Sequence, residues 1–325
     1  LSRGKRIYVE EALFPGYFFI KFDPEQSNLT YTAIRSSRGV SKIVRFGDRG
    51  AEKPGVIDDA GNIRDISTFI DDWSYKTLNR GTFGELARHD LSAYPLAPHN
   101  SRLGAPVDRV GKIVGCALTY GKHAAEAGLE PPEEPMFMLT APSAINGPFD
   151  DVIIPRDGTQ LDWEAELAVV FCKSGSYIPV EDAMDYVAGF CVGNDVSERV
   201  FQLERGTQWT KGKSADTLKP LGPWLVTSDE ISDPNNLEIS LQVNGKTMQH
   251  SNTSDMMYSI AELISIISRY ISWQPGDVMM TGTPPGVCYG MKPQVYLKPG
   301  DIMSARIENL GEQRNKVVAY AEDRV

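Results

Sequence analysis

The chain lacks most of what would tie it to a nucleic acid, a membrane or an oxidising compartment. Lys and Arg number 33 against 43 Asp and Glu, a formal charge of −10, whereas phosphate recognition needs clustered cations. A nucleic-acid surface is therefore not the expected main business. Cysteine is scarce: Cys116, Cys172, Cys191 and Cys288 stand singly, with no CxxC pair. They read as reduced core residues, not as a zinc site or a disulfide framework. No signal-peptide pattern and no apolar run of about 18 residues is seen, so neither secretion nor membrane spanning is expected and the cytoplasm is the expected compartment. Repeats and low-complexity tracts are lacking too. What remains is a 325-residue chain, 41% hydrophobic and 23% charged, with material for one large core or two.

One stretch organises the reading. If residues 161–171, Leu-Asp-Trp-Glu-Ala-Glu-Leu-Ala-Val-Val-Phe, form a strand, Glu164 and Glu166 share one face and Trp163, Ala165 and Leu167 the other. The apolar run from Ala168 to Phe171 predicts a strand buried on both sides. Two carboxylates at the mouth of such a strand repel each other and lose hydration, and a hard divalent cation would relieve both costs. A third acid, Asp195, follows an intervening helix. Spacing alone leaves an alternative open, in which the two glutamates line the wet face of an antiparallel strand.

Taken in order, residues 56–66 read as a hairpin turning at 59–62, and 67–90 as a weakly patterned helical stretch before a proline-marked connector. Residues 112–118 read as a buried strand, and 120–128 as a helical turn closed by Gly128. In that turn His123 and Glu126 are three apart and share a face. The carboxylate either orients the imidazole and raises its basicity for activating a water, or forms an ordinary helix-end pair. Residues 180–187 read as a short helix and 188–192 as a strand delivering Asp195. The polar block containing Arg199, Gln202, Trp209, Lys211 and Lys213 reads as a loop folded over a site. Residues 237–243 alternate as a strand and Asn244-Gly245 marks a type I′ turn. Residues 258–272 form an amphipathic helix assigned to packing. The loop at 281–287 offers hydroxyls and amides, and repeated Pro-Gly-Asp turns at 275–277 and 299–301 imply two more strands.

The first residues differ in charge: Arg3 to Arg49 carries nine Lys or Arg against five Asp or Glu. Arg3-Gly4-Lys5-Arg6, Leu13-Phe14-Pro15-Gly16-Tyr17-Phe18-Phe19 and the run from Arg38 to Gly47 resemble the second half of the N-terminal domain of NusG-type transcription factors. Half a domain buries too little surface to fold alone, so residues 1–42 are expected to be a fused or artefactual fragment. Binding of RNA polymerase through residues 1–47 is the minor alternative.

From Ile43 to Ala319 the chain resembles the fumarylacetoacetate hydrolase family. The motifs are Tyr120-x-x-His123-x-x-Glu126, Asp162-Trp163-Glu164-Ala165-Glu166-Leu167, Asn194-Asp195-Val196-Ser197-Glu198-Arg199, Gln208-Trp209-Thr210-Lys211-Gly212-Lys213-Ser214 and Thr281-Gly282-Thr283-Pro284. The resemblance implies an α+β, mostly β fold, a mixed β-sandwich roll with peripheral helices. It divides the chain into a small N-terminal region at 43–106, with its hairpin and helix, and a catalytic domain at 107–325. It implies Mg²⁺, with Mn²⁺ or Ca²⁺ as alternatives, held by Glu164, Glu166 and Asp195. His123 and Glu126 would activate water, Lys213 would stabilise charge, and Tyr120, Arg199, Gln202 and Thr283 would contact substrate. A homodimer acting on a small 2-oxo acid is the expected assembly.

More narrowly, the block from Asn194 to Gly206, with Gln208 to Ser214, looks like the 2,4-diketo-3-deoxy-L-rhamnonate hydrolases, often labelled ureidoglycolate lyases. The reaction implied is hydrolysis of the C3–C4 bond of a 2,4-diketo acid to pyruvate and a small hydroxy acid, in sugar-acid catabolism. The alternative is a lyase, decarboxylase or isomerase of an oxo acid on the same fold. Two positions depart from the family pattern: Thr140 stands where lysine is common, and Thr119 precedes Tyr120 where asparagine is common.

Overall fold

The computed structural model describes residues 17–18, 34–35, 42–126, 128 and 133–322. Most of the expected NusG-like fragment lies outside the described residues. Two sheets dominate. The larger has ten strands, in the order Ile63–Asp65, Lys53–Ile57, Lys42–Phe46, Leu225–Thr227, Val187–Asn194, Ala165–Phe171, Val278–Met280, Ile113–Ala117 and Met136–Thr140, with Leu103–Gly104 pairing off Lys42–Phe46. Its pairs are antiparallel except where Val278–Met280 runs parallel to Ile113–Ala117. The smaller has five strands, in the order Val152–Ile153, Gly311–Val318, Ile302–Ile307, Glu238–Val243 and Lys246–Asn252. Among the described residues no helix is long and apolar enough to cross a membrane.

The central strand, Ala165–Phe171, is buried along its whole length, as its continuous apolar run requires. One face sends Leu167, Val169 and Phe171 into the core shared with Ile239, Leu241, Met303 and Ile307 of the smaller sheet. Phe171 stacks on Trp273 there, with ring centroids 4.0 Å apart, and truncating so large a buried ring costs about 3–5 kcal/mol. The other face sends Ala168 and Val170 into a second core with Ile43, Val56, Ile66, Trp73 and Leu78. Strands from residues 42–65 thus complete the sheet that carries the central strand, and their side chains cover its back.

The local signals hold with shifts at the ends. The hairpin at 56–66 forms from Lys53–Ile57 and Ile63–Asp65. The Asn244-Gly245 turn has both residues at positive φ, 52° and 79°, the type I′ geometry. The amphipathic helix is Ile260–Ile267, opened by a Ser259/Glu262 capping box. The helical expectation for 67–90 is corrected: only Arg80–Leu86 is α-helical, because the preceding chain is spent on irregular turns that bury Trp73 and Leu78. Residues Val180–Tyr186 form a 3₁₀ helix, not an α-helix.

Candidate active site

The site lies where the central strand leaves its neighbour. The antiparallel register sets Ala165 opposite Asn194 and Glu166 opposite Gly193, so Asp195 emerges beside the two glutamates. The Asn194 side chain accepts from the Glu164 amide at 3.0 Å, and the Asp195 amide donates to the Glu164 carbonyl at 2.8 Å. Glu164, Glu166 and Asp195 are all buried, and one oxygen from each lies within 4.8 Å of the others. Three hard carboxylate oxygens so placed fit a hard divalent cation.

The three acids differ in their company. Glu164 accepts from Lys213 Nζ at 2.8 Å and pairs with an Arg199 terminal nitrogen at 2.7 Å. Asp195 meets Lys213 Nζ at 2.7 Å through Oδ2 and Lys219 Nζ at 2.7 Å through Oδ1. Among the described residues Glu166 accepts the Gly282 amide, at 2.8 Å, and makes no ion pair. Burial pushes every one of these carboxyls up, but Lys213 and Lys219 outweigh it at Asp195 and hold that group at about 2. Lys213 and Arg199 likewise lower Glu164. At Glu166 burial and the charges of Asp195 and Glu164 act together, and its pKa lies well above the ordinary carboxylate range. A divalent cation would supply what Glu166 lacks.

Asp162, fully buried, anchors the wall. It accepts from Arg199 at 2.8 and 2.9 Å and from the amides of Trp163, Cys288 and Tyr289. Arg199 is thereby spread across Asp162, Glu164 and the Gln202 side-chain oxygen, with its guanidinium 5.6 Å from the Tyr289 ring centre. Arg199, Gln202, Lys213, Glu164, Glu166 and His123 all line a cavity of about 180 Å³, whose remaining wall includes the apolar Leu118, Leu203 and Trp209.

His123 and Glu126 sit at this cavity on the Gly121–Glu126 helix. His123 Nδ1 stands 3.5 Å from Glu126 Oε2 and makes no hydrogen bond among the described residues. Glu126 instead accepts the Gly286 amide at 3.0 and 3.2 Å, and the Gly286 carbonyl accepts Trp163 Nε1 at 3.0 Å. The loop runs at positive φ at Gly282 and Gly286 (94° and 105°), where a Cβ would come within about 2.1 Å of Thr119 or Met248, so glycine is required on both counts.

Other expected residues take different places. Thr283 borders the cavity, but its hydroxyl donates to the Ala165 carbonyl at 2.9 Å and accepts from Gln249 at 2.8 Å. Tyr120 is fully buried and is not part of the cavity wall. Thr140 is buried, and its hydroxyl has no hydrogen bond among the described residues. Asp162, Lys219 and Tyr289 were not anticipated as site residues. The signal for Lys219 was present in its apolar setting, Leu218-Lys219-Pro220-Leu221, where a charge is costly unless paired.

A model of the fumarylacetoacetate hydrolase C-terminal family matches residues 112–318, and one of the transcription termination factor NusG matches residues 1–64. The chain is 48% identical over 277 residues to a 2,4-didehydro-3-deoxy-L-rhamnonate hydrolase of Sphingomonas sp. strain SKA58, covering 85% of this chain and 95% of that protein. Among solved structures, the fumarylacetoacetate hydrolase of psychrophilic Exiguobacterium antarcticum aligns with TM-score 0.76 and 33% identity, covering 86% of this chain and all of that one. A 2-hydroxyhepta-2,4-diene-1,7-dioate isomerase of Mycobacterium marinum aligns with TM-score 0.67 and 28% identity, covering 87% of this chain and all of that one.

Proposed function

Since the chain belongs to the fumarylacetoacetate hydrolase family and is an enzyme of that family, we propose that it is a metal-assisted hydrolase of a 2,4-diketo acid, cleaving C3–C4 to pyruvate and a small hydroxy acid. The observation that carries this reading is the Glu164, Glu166, Asp195 cluster, whose two glutamates line the same small cavity as His123. The similar Sphingomonas protein is named for such a substrate, and 2,4-diketo-3-deoxy-L-rhamnonate is the first compound to try. Mg²⁺ is the ion assigned, with Mn²⁺ or Ca²⁺ able to satisfy the same oxygens.

The three acids would hold the cation, which supplies positive charge against the negative charge that gathers on the departing 2-oxo acid fragment. The protein's own part follows from its groups. Arg199 and Gln202 fix the substrate against the cavity floor. His123, which lines the cavity, accepts a proton from water. The water oxygen bonds to C4, the C3–C4 bond breaks with its electron pair left on C3, and C3 then takes a proton. Lys213, buried among Glu164, Asp195 and Ser197, keeps its charge because Asp195 and Glu164 raise its pKa despite burial, and it stabilises developing oxyanion charge.

The test is pyruvate release from a panel of 2,4-diketo acids, with and without EDTA, beside Glu166→Gln and His123→Ala. Release that disappears with EDTA and in both variants supports the hydrolase. One observation favours a second reading, an oxo-acid lyase or isomerase: Glu126 is bonded to Gly286 rather than to His123, and such chemistry needs no activated water. Metal-dependent loss of CO₂ from oxaloacetate, with no diketo acid cleaved, would replace the first reading by the second.

A further inference from the structure

Lys219 has no part in the chemistry above, and it does not border the cavity. Its ammonium is buried and held by the Val196 carbonyl at 3.1 Å and the Leu218 carbonyl at 3.2 Å, with Asp195 Oδ1 at 2.7 Å. The Lys219–Pro220 strand that carries it pairs with Ile145–Asn146, so the charge is fixed by backbone on both sides. It cannot reach a substrate, but its field is felt by anything bound at Asp195.

The charge of the whole cluster then becomes informative. Asp162, Glu164 and Asp195 pair with Arg199, Lys213 and Lys219, and Glu166 stands beside them on the Gly282 amide, so with all four carboxyls ionised one negative charge is left uncompensated. A divalent cation turns that into one net positive charge. This is the complement of a singly charged 2-oxo acid, and charges in a dry site are costly unless balanced. Without Lys219 the loaded site would be neutral, and the empty one more negative by one charge.

Resting on the reading that the triad holds a divalent cation, we infer that Lys219 sets the charge of the site: it holds down the affinity for the metal so that the loaded site attracts a monoanionic substrate. It is a positioning residue acting through Asp195, and it makes the opposite prediction from a brace. A brace, once removed, lets Asp195 swing and weakens metal binding. A charge-setting lysine, once removed, strengthens it.

The experiment titrates Mn²⁺ calorimetrically into metal-stripped wild type, Lys219→Met, Lys219→Gln and Lys219→Arg, then titrates oxamate, an unreactive monoanion of the right class, into the Mn²⁺-loaded proteins. Mn²⁺ should bind the two neutral variants about tenfold more tightly or better, oxamate about tenfold more weakly, and Lys219→Arg should follow wild type. Mn²⁺ binding that is unchanged or weaker in the folded neutral variants overturns the inference. So does loss of folding in both neutral variants while Lys219→Arg folds, since Lys219 would then be a structural brace. Wild type that binds no Mn²⁺ would instead sink the metal-assisted reading beneath it.

Discussion

Two ion clusters stand on the same large sheet and are built to different rules. At the N-terminal edge, Arg45 pairs with Asp72, Asp108 and Glu52, and Arg102 with Glu52 and Asp150. Each of these carboxylates has an arginine, and several are partly wet, with Asp72 and Asp108 side chains 18% and 27% exposed. In the cluster around Glu164 and Asp195 the groups are dry, and among the described residues no cation pairs with Glu166. Burial raises the carboxyl pKa in both places. Arginine hydrogen bonds reverse the effect at Glu52, and nothing reverses it at Glu166. The first cluster is a staple, complete as it stands. The second leaves one carboxyl without a cation among the described residues, as the proposed metal would explain.

Removing the unmatched carboxyl should therefore separate stability from activity most sharply. Glu166→Gln is expected to lower kcat/KM by roughly 10⁴-fold, by loss of a ligand to the metal, while the thermal midpoint of the metal-stripped protein stays level or rises, because a carboxyl whose ionisation burial and its anionic neighbours oppose has gone. Steady-state kinetics with scanning calorimetry would check both, and a lower midpoint would mean that Glu166 is already balanced. His123→Ala is expected to cost roughly 10²–10³-fold in kcat, as removal of a general base does, with stability barely changed. Rescue by added imidazole would sharpen the assignment. In the staple the pattern inverts. Arg45→Met leaves Asp72 without its fork, and about 3 kcal/mol of stability should be lost in urea titrations, with kcat/KM per folded molecule within about twofold of wild type.

The same contrast explains what could be read in the sequence. Alternation in 161–171 placed Glu164 and Glu166 together, and their repulsion called for a cation. These are local facts, and local periodicity carries them. That Lys213 and Arg199 already neutralise Glu164, and that Lys219 reaches Asp195, depends on segments brought together only by the fold, with Lys213 lying 49 positions from Glu164. The Thr283 hydroxyl was legible as a donor, but its use on the Ala165 carbonyl rather than on a ligand depends on how closely the 281–287 loop lies against the central strand. The region at 67–90 failed for a related reason. Weak helical patterning lost to the burial of Trp73, whose indole donates to the Gly55 carbonyl across the neighbouring strand, and tertiary packing overrides propensity of that strength.

The smallest expected effect tests the staple through its protons. Burial pushes Glu52 up, and the Arg102 hydrogen bond, its backbone bond and the charges of Arg45 and Arg102 bring it below the ordinary carboxylate range. A carboxyl depressed in the folded state binds its proton more weakly there than in the unfolded chain. Its contribution to stability is therefore whole above the unfolded pKa and is lost as pH falls through the folded one. Thermal midpoints of wild type should thus decline between about pH 5 and pH 3, and Glu52→Gln, which has no proton to gain, should lose part of that slope while starting from a lower midpoint at neutral pH. Equal slopes in the two proteins would mean that the unfolded chain holds Glu52 as tightly as the folded one. In that case the contrast between the clusters would rest on geometry alone.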